Sequence, residues 1–241
     1  MSVLNTILSH AEKYKEKGQL VAIFDLDSTV FNVSPRTQKI LQDFAQSKSY
    51  KSKFPKTLLE NLSQVQVRTQ DWGIKEALIR SKIEAPLEFF ESLRDYWFEH
   101  FFSNSYLFHD EPYPGAIEFI KTLHKKGARI VYLTGRDKHR MGEGTHNVLK
   151  HWGLPLDTYN KLILKPKKGM SDSLYKLDMI DQLSKEHPET WAFENEPVNI
   201  NLIAKELKQV NVVFFESTHS RREELMHEMP ILKAEFPFLA D

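Results

Sequence analysis

Positions 20–24 are uninterrupted apolar residues (Leu-Val-Ala-Ile-Phe), and the run ends abruptly at Asp25. A short apolar run closed by polar turn residues predicts a β-strand buried on both faces, here at about 20–25. Similar runs recur at 128–133, 161–164, 190–193 and 210–215. Between them the spacing of apolar residues changes to a helical period, predicting helices at 115–126, 138–152, 174–185 and 198–208. The first two of these stop at Gly127 and Gly153. A leading helix is predicted over 2–17, ended by Gly18. Strand alternating with helix is the pattern of a parallel sheet built with crossovers.

One stretch breaks the alternation. From about 32 to 112 no strand pattern appears, and helical patterns run at 36–47, 55–66, 73–83 and 86–102, with Pro35, Pro55, Pro86 and Pro112 near their boundaries. The expected organisation is an α/β domain of residues 1–31 and 113–241, interrupted by an all-helical insert of residues 32–112. The last insert helix carries Phe89, Phe90, Tyr96, Trp97, Phe98, Phe101 and Phe102. Most of these are expected to pack the insert's own core, and the rest to form a lid face over the sheet edge.

Composition narrows the class. The 241 residues are 41% hydrophobic and 12% aromatic, enough for a sizeable core and against disorder. Lys+Arg and Asp+Glu balance at 33 each, so overall charge favours neither nucleic acid nor a membrane surface. Locally, Lys165, Lys167 and Lys168 form a basic patch. With no Cys there is no disulfide framework and no thiol nucleophile. The polar N-terminal segment lacks an apolar signal region, and no run reaches transmembrane length, so a cytoplasmic location is the default expectation.

Candidate chemistry gathers at the predicted strand ends. Asp25 and Asp27 follow the first strand, and Ser28 and Thr29 come next. Two carboxylates so close repel one another, and a divalent cation between them is the simplest compensation. Thr134-Gly135-Arg136 follows the second strand, where a hydroxyl, a glycine and backbone N–H groups suit a phosphate oxygen. Lys165, at a strand end, or Lys176, near a helix start, could neutralise phosphate charge. Glu194 and Asn195 follow the fourth strand and offer oxygen ligands to a hard cation. Independent turn chemistry would not order four such signals along one edge of one sheet, the edge at which open α/β sheets bind ligands.

In that order the signals resemble the haloacid dehalogenase superfamily, and in particular its phosphatases. The family signature is Asp-x-Asp-x-Thr, then Thr or Ser, then Lys, then acidic residues; here it corresponds to Asp25, Asp27 and Thr29, then Thr134, then Lys176 or Lys165, then Glu194. The resemblance covers about residues 19–31 and 113–220, and the insert stands where the family places a helical cap. Lys176 is favoured because a helix start before the fourth strand matches the family's placement. The sequence departs from the pattern at Glu194, where Asp is usual, and at Asn199, where a second acid sometimes stands.

The resemblance implies a Rossmann-like three-layer α/β/α core with a parallel sheet and a helical cap, and a magnesium-dependent phosphomonoester hydrolase. It implies Asp25 as nucleophile through an aspartyl-phosphate, Asp27 as acid and base, and Thr134 with Lys176 on the phosphoryl oxygens. Mg²⁺ would be held by Asp25, the backbone carbonyl of Asp27, and Glu194. The expected partner is a small phosphomonoester. Two alternatives stand beside it. One is a phosphatase of nucleic-acid ends, kept open by Arg136, Lys138, His139 and Arg140; the other is a non-catalytic phospho-ligand binder, motivated by Glu194 and Asn199.

Overall fold

The computed structural model describes residues 2–15 and 19–238. Its helices and strands, in chain order, are α1 (Val3–Lys13), β1 (Leu20–Phe24), β2 (Phe31–Asn32), α2 (Ser34–Gln46), α3 (Lys48–Lys51), α4 (Lys56–Ser63), α5 (Lys75–Arg80), α6 (Leu87–Phe101), β3 (Glu111–Pro112), α7 (Ala116–Lys125), β4 (Arg129–Asp137), α8 (Lys138–His151), β5 (Lys161–Lys165), α9 (Asp172–Glu186), β6 (Glu189–Glu194), α10 (Pro197–Glu206), β7 (Val210–Phe215) and β8 (Ile231–Leu232). The expected stop of α1 at Gly18 lies outside the described residues.

Six strands form one parallel sheet in the order β5-β4-β1-β6-β7-β8. The two-residue period of a strand explains how β1 serves both layers at once. Leu20, Ala22 and Phe24 enter the core shared with α1, α7 and α8. Val21 and Ile23 face the opposite core, with Ile180 and Leu183 of α9 and Ile200 and Ile203 of α10. The chain is thus a Rossmann-like α/β/α sandwich. Because β4 and β6 flank β1, the strand order reverses there, and a crevice opens at the C-terminal end of β1.

From α2 to α6 the chain is helical, and a 3-10 turn follows at Asn104–His109. This segment has a core of its own, with Leu41, Phe44, Leu59, Leu62, Ala77, Phe89 and Leu93 buried together. It leaves and rejoins the sandwich through an antiparallel two-stranded ribbon, where Phe31 pairs with Pro112 and Asn32 with Glu111. Strands β2, β3 and β8 are absent from the sequence reading because two-residue strands carry no periodicity to read. The expected helices at 55–66 and 73–83 shrink to α4 and α5, the latter entered through Gly73 in the left-handed conformation (φ 71°). None of the described helices is long and apolar enough to cross a membrane.

Candidate active site

The parallel pairing of β1 with β6 runs one residue past the strand, as the Asp25 N–H donates to the Phe193 carbonyl at 3.0 Å. Asp25 is thereby fixed at the strand end. The chain then turns tightly. Leu26 O accepts from the N–H groups of Thr29, Val30 and Phe31, and Ser28 takes a left-handed conformation (φ 62°) that a non-glycine residue seldom adopts. This turn brings Thr29 back over Asp25. Its hydroxyl lies 3.2 Å from both Asp25 Oδ2 and Asn195 Oδ1.

Lys176, on the first turns of α9, reaches under the turn. Its ammonium sits 2.6 Å from Asp25 Oδ1 and 2.6 Å from Glu194 Oε2. All three side chains are buried. Burial pushes the Asp25 carboxyl up to about 7; Lys176 opposes the rise, while Glu194 and Asp27 add to it. Burial also penalises the Lys176 ammonium, but the two carboxylates outweigh that and hold it protonated well above its ordinary range. Lys165 is elsewhere: its ammonium pairs with Asp172 and with the carbonyl of Met170. Of the two candidate lysines, the fold brings only Lys176 to Asp25.

Asp27 belongs to a second cluster. Its carboxylate accepts from Arg36 Nη2 at 2.6 Å and from Arg136 Nη2 and Nε at 2.8 and 2.9 Å. Both arginines also reach Asp110 Oδ2, at 2.6 and 2.8 Å. Burial disfavours charge on Asp27, but Arg136 and Arg36 overcome it and hold the carboxyl well below the usual range. A cation lodged between the Asp25 and Asp27 carboxylates, the simplest expectation from the sequence, is not needed to relieve their repulsion. Two arginines compensate Asp27, while Asp25 shares its single lysine with Glu194.

Thr134 is buried at the end of the regular pairing of β4, its hydroxyl accepting from the Arg136 N–H at 3.2 Å. A Cβ on Gly135 would meet the Asp172 carboxyl at 3.1 Å, so a larger residue here would press on that side chain. Asn199 accepts from the Ser173 hydroxyl at 2.8 Å. Asp25, Asp27, Thr134, Lys176 and Glu194 all line one cavity of about 490 Å³, roofed by Trp72, Trp97, Phe98, Phe101 and Phe102. The basic run after Thr134 disperses. Arg136 is buried against Asp27 and Asp110, and Arg140 pairs with Asp137 at 2.7 Å. Lys138 and His139 remain exposed beside them.

Arg36 and Asp110 went unnoticed in the sequence. They stand 74 residues apart, and nothing local marks an ion pair of that span. The start of α2 at Ser34-Pro35, which points Arg36 back toward the sheet edge, was the one available hint.

A model of haloacid dehalogenase-like hydrolases matches residues 20–216. The chain belongs to the haloacid dehalogenase-like hydrolase family. Among curated proteins, none matches this hydrolase in sequence. Its fold is similar to that of a candidate phosphatase from Clostridium difficile, at 16% identity and a TM-score of 0.56, over 89% of this chain and 94% of that one. It is also similar to a haloacid dehalogenase-like family hydrolase from Streptococcus pneumoniae, at 10% identity and a TM-score of 0.51, over 90% and 95% of the two chains. Protein tyrosine kinase A from Mycobacterium tuberculosis shares the architecture as well, at 15% identity and a TM-score of 0.52, over 92% and 94%. At these identities the likeness concerns fold, and one fold carries more than one chemistry.

The family implies Mg²⁺, and the donor set at Asp25 suits it. Among the described residues no three carboxylate, imidazole or thiol side chains form a ready cage. Mg²⁺ seldom uses one, since it is commonly held by one or two carboxylates with water and substrate phosphate completing the shell. Asp25 and Glu194 supply two carboxylates against a single ammonium, and Asn195 Oδ1 adds a neutral oxygen beside them.

Proposed function

We propose that this hydrolase is a Mg²⁺-dependent phosphomonoesterase acting on a small phosphorylated metabolite through an aspartyl-phosphate on Asp25. The observation that carries the reading is the buried Asp25–Lys176–Glu194 cluster, where two acids share one base at the end of the central strand. Such a cluster lacks one positive charge. Asp25, Glu194 and Asn195 are the residues that would hold the cation. When bound, it keeps the nucleophile ionised near neutral pH and screens it from the phosphoryl oxygens.

Each remaining residue has a part. Asp25 Oδ2, steadied by the Thr29 hydroxyl, is the oxygen that attacks phosphorus. Lys176 and Thr134 neutralise and orient the phosphoryl oxygens, donors set where charge develops. Asp27 exchanges a proton with the leaving oxygen and then with the attacking water. Held ionised by two arginines, Asp27 is prepared as the base of the second step. Its acid role in the first step requires a proton on Asp27, which the pairing with Arg36 and Arg136 opposes until substrate is bound. Arg136 and Asp110, at the base of the cleft, keep Asp27 aimed.

The test is phosphate release from an aryl phosphate and a panel of phosphorylated metabolites, with Mg²⁺ and with chelator. Mg²⁺-dependent release that disappears in Asp25→Asn supports the reading. Release unaffected by chelator, or retained by a clean Asp25→Asn preparation, contradicts it.

A further inference from the structure

The roof of the cleft says more about the substrate than its floor does. Along α6 the aromatic residues divide by direction. Phe89 and Tyr96 pack with Phe44, Tyr50 and Phe54 inside the insert. Trp97, Phe98, Phe101 and Phe102 line the cleft instead, as two pairs one helical turn apart with ring centroids 4.7 Å (Trp97–Phe101) and 4.8 Å (Phe98–Phe102) apart. Trp72 joins them from the preceding loop, where Gly73 turns the chain in the left-handed region and lies against the Trp97 ring. Trp97 has its polar edge satisfied, its indole N–H donating to the Thr37 hydroxyl at 3.3 Å.

Two of these rings stay partly open to water: Trp72 is 45% exposed and Phe98 44% exposed. Large aromatic surface turned to water beside a reactive centre is the mark of a binding face, because it forgoes burial that the insert's own core could have given it. The cavity volume of about 490 Å³ falls within the about 300–1,000 Å³ usual for small-molecule sites.

A cage of aromatic rings can receive either a cation or another ring. The cations already resident on the rings favour a ring. Three of the rings already carry a cation: Arg36 lies 4.3 Å from the Phe101 centroid, Arg140 5.1 Å from Phe102, and Lys168 5.3 Å from Phe98. A quaternary ammonium would have to crowd these resident cations on their rings, although the carboxylates of Asp25, Asp27, Asp71, Asp172, Glu194 and Glu196 also line the cavity. An uncharged planar ring would not be opposed.

Given the phosphatase reading, on which this rests, we infer that the leaving alcohol of the substrate carries an uncharged planar aromatic ring, a nucleobase or an aryl group, which stacks against Trp72, Trp97 and Phe98 while the phosphate sits at Asp25.

The test uses ligand pairs matched in everything but the ring: adenosine 5′-monophosphate with ribose 5-phosphate, and benzyl phosphate with cyclohexylmethyl phosphate, plus phosphocholine as the cationic alternative. Dissociation constants are measured by calorimetry on Asp25→Asn with Mg²⁺, alongside kcat/KM on the wild type. The ring-bearing member of at least one pair is expected to bind roughly tenfold tighter. Which pair shows the preference separates nucleobase from aryl. Trp72→Leu and Phe98→Leu, at two half-exposed positions where folding should survive, are each expected to cut that ratio several-fold. Ratios near one in both pairs, ratios unmoved by either variant, phosphocholine binding tighter than both ring-bearing ligands, or no binding at all would each overturn the inference. Ring-selective binding with no wild-type hydrolysis would sink the phosphatase reading alone. Hydrolysis without ring preference would sink this inference alone.

Discussion

Two buried charge clusters lie side by side at the end of the central strand, and they are built on opposite plans. Around Asp25 two carboxylates face a single ammonium. Around Asp27 two carboxylates face two guanidiniums, with Arg36 and Arg136 each touching both Asp27 and Asp110. The first cluster is short of positive charge, and Asp25 rises to about 7. The second is neutral, and Asp27 is held ionised. Adjacent titratable groups driven apart in this way mark a division of chemical labour. Under the proposed function the unbalanced cluster is the one that takes the cation and reacts. The balanced one holds the proposed acid-base Asp27 and also ties the turn after β1 and the strand β4 to both ends of the helical insert.

Substitutions in the two clusters should therefore fail differently. Asp25→Asn is expected to cut turnover by at least roughly a thousandfold, while urea unfolding shows stability unchanged or raised, because the change relieves a crowded pair of acids. Asp110→Ala should do the reverse in emphasis. It strands two buried guanidiniums, and the expected loss is about 3–5 kcal/mol of unfolding free energy. Comparable destabilisation by the two substitutions would break the contrast.

Lysine substitutions sharpen it further. Lys176→Met should lower kcat by roughly a hundredfold or more, as for loss of a donor at developing charge. Lys165→Met, which severs only the contacts to Asp172 and Met170, should stay within a few-fold. Equal losses from both would show that proximity to Asp25 is not what matters.

The legible part of this molecule was the part written in local pattern. The all-apolar β1, the later strands and the polar residue at the end of each could be placed because a buried parallel strand is one unbroken run and its C-terminal edge faces ligand. Asp25, Thr134 and Glu194 were found in that way, whereas Lys176, near a helix start, was preferred to the strand-end Lys165 only through the family resemblance. The compensation of Asp27 was not, because the contact from Arg136 spans 109 residues and that between Arg36 and Asp110 spans 74. Nor was the ribbon of β2 and β3, whose two-residue strands pair only because the helices between them bring the ends together. A division of the α6 aromatics between core and cleft was expected, but with most in the insert's core; instead Trp97, Phe98, Phe101 and Phe102 line the cleft and only Phe89, Phe90 and Tyr96 pack in the insert. Which rings went where depended on helix direction against α2, which no single-helix pattern contains.

The smallest effect tests whether the insert melts on its own. Asp71 forms a two-pronged pair with Arg80, at 2.7 Å from each Nη, and accepts from the Arg68 N–H. The Arg80 hydrogen bonds lead in holding its carboxyl below the ordinary value of 3.8, against burial. A depressed carboxyl stabilises the fold above its ordinary value and loses that contribution as pH falls through its lowered one. Acid titration followed by tryptophan fluorescence should show the wild type losing this increment below about pH 4, and Asp71→Asn lacking it. Identical acid profiles would remove the pair from the account.

The most direct test of the central claim is acid-quenched mass spectrometry of the wild-type enzyme during turnover of its best phosphomonoester with Mg²⁺. The account predicts one phosphoryl group on the peptide containing Asp25, and none in Asp25→Asn. Turnover with no phosphoryl group on Asp25 at any quench time, or the group on a different residue, would contradict it.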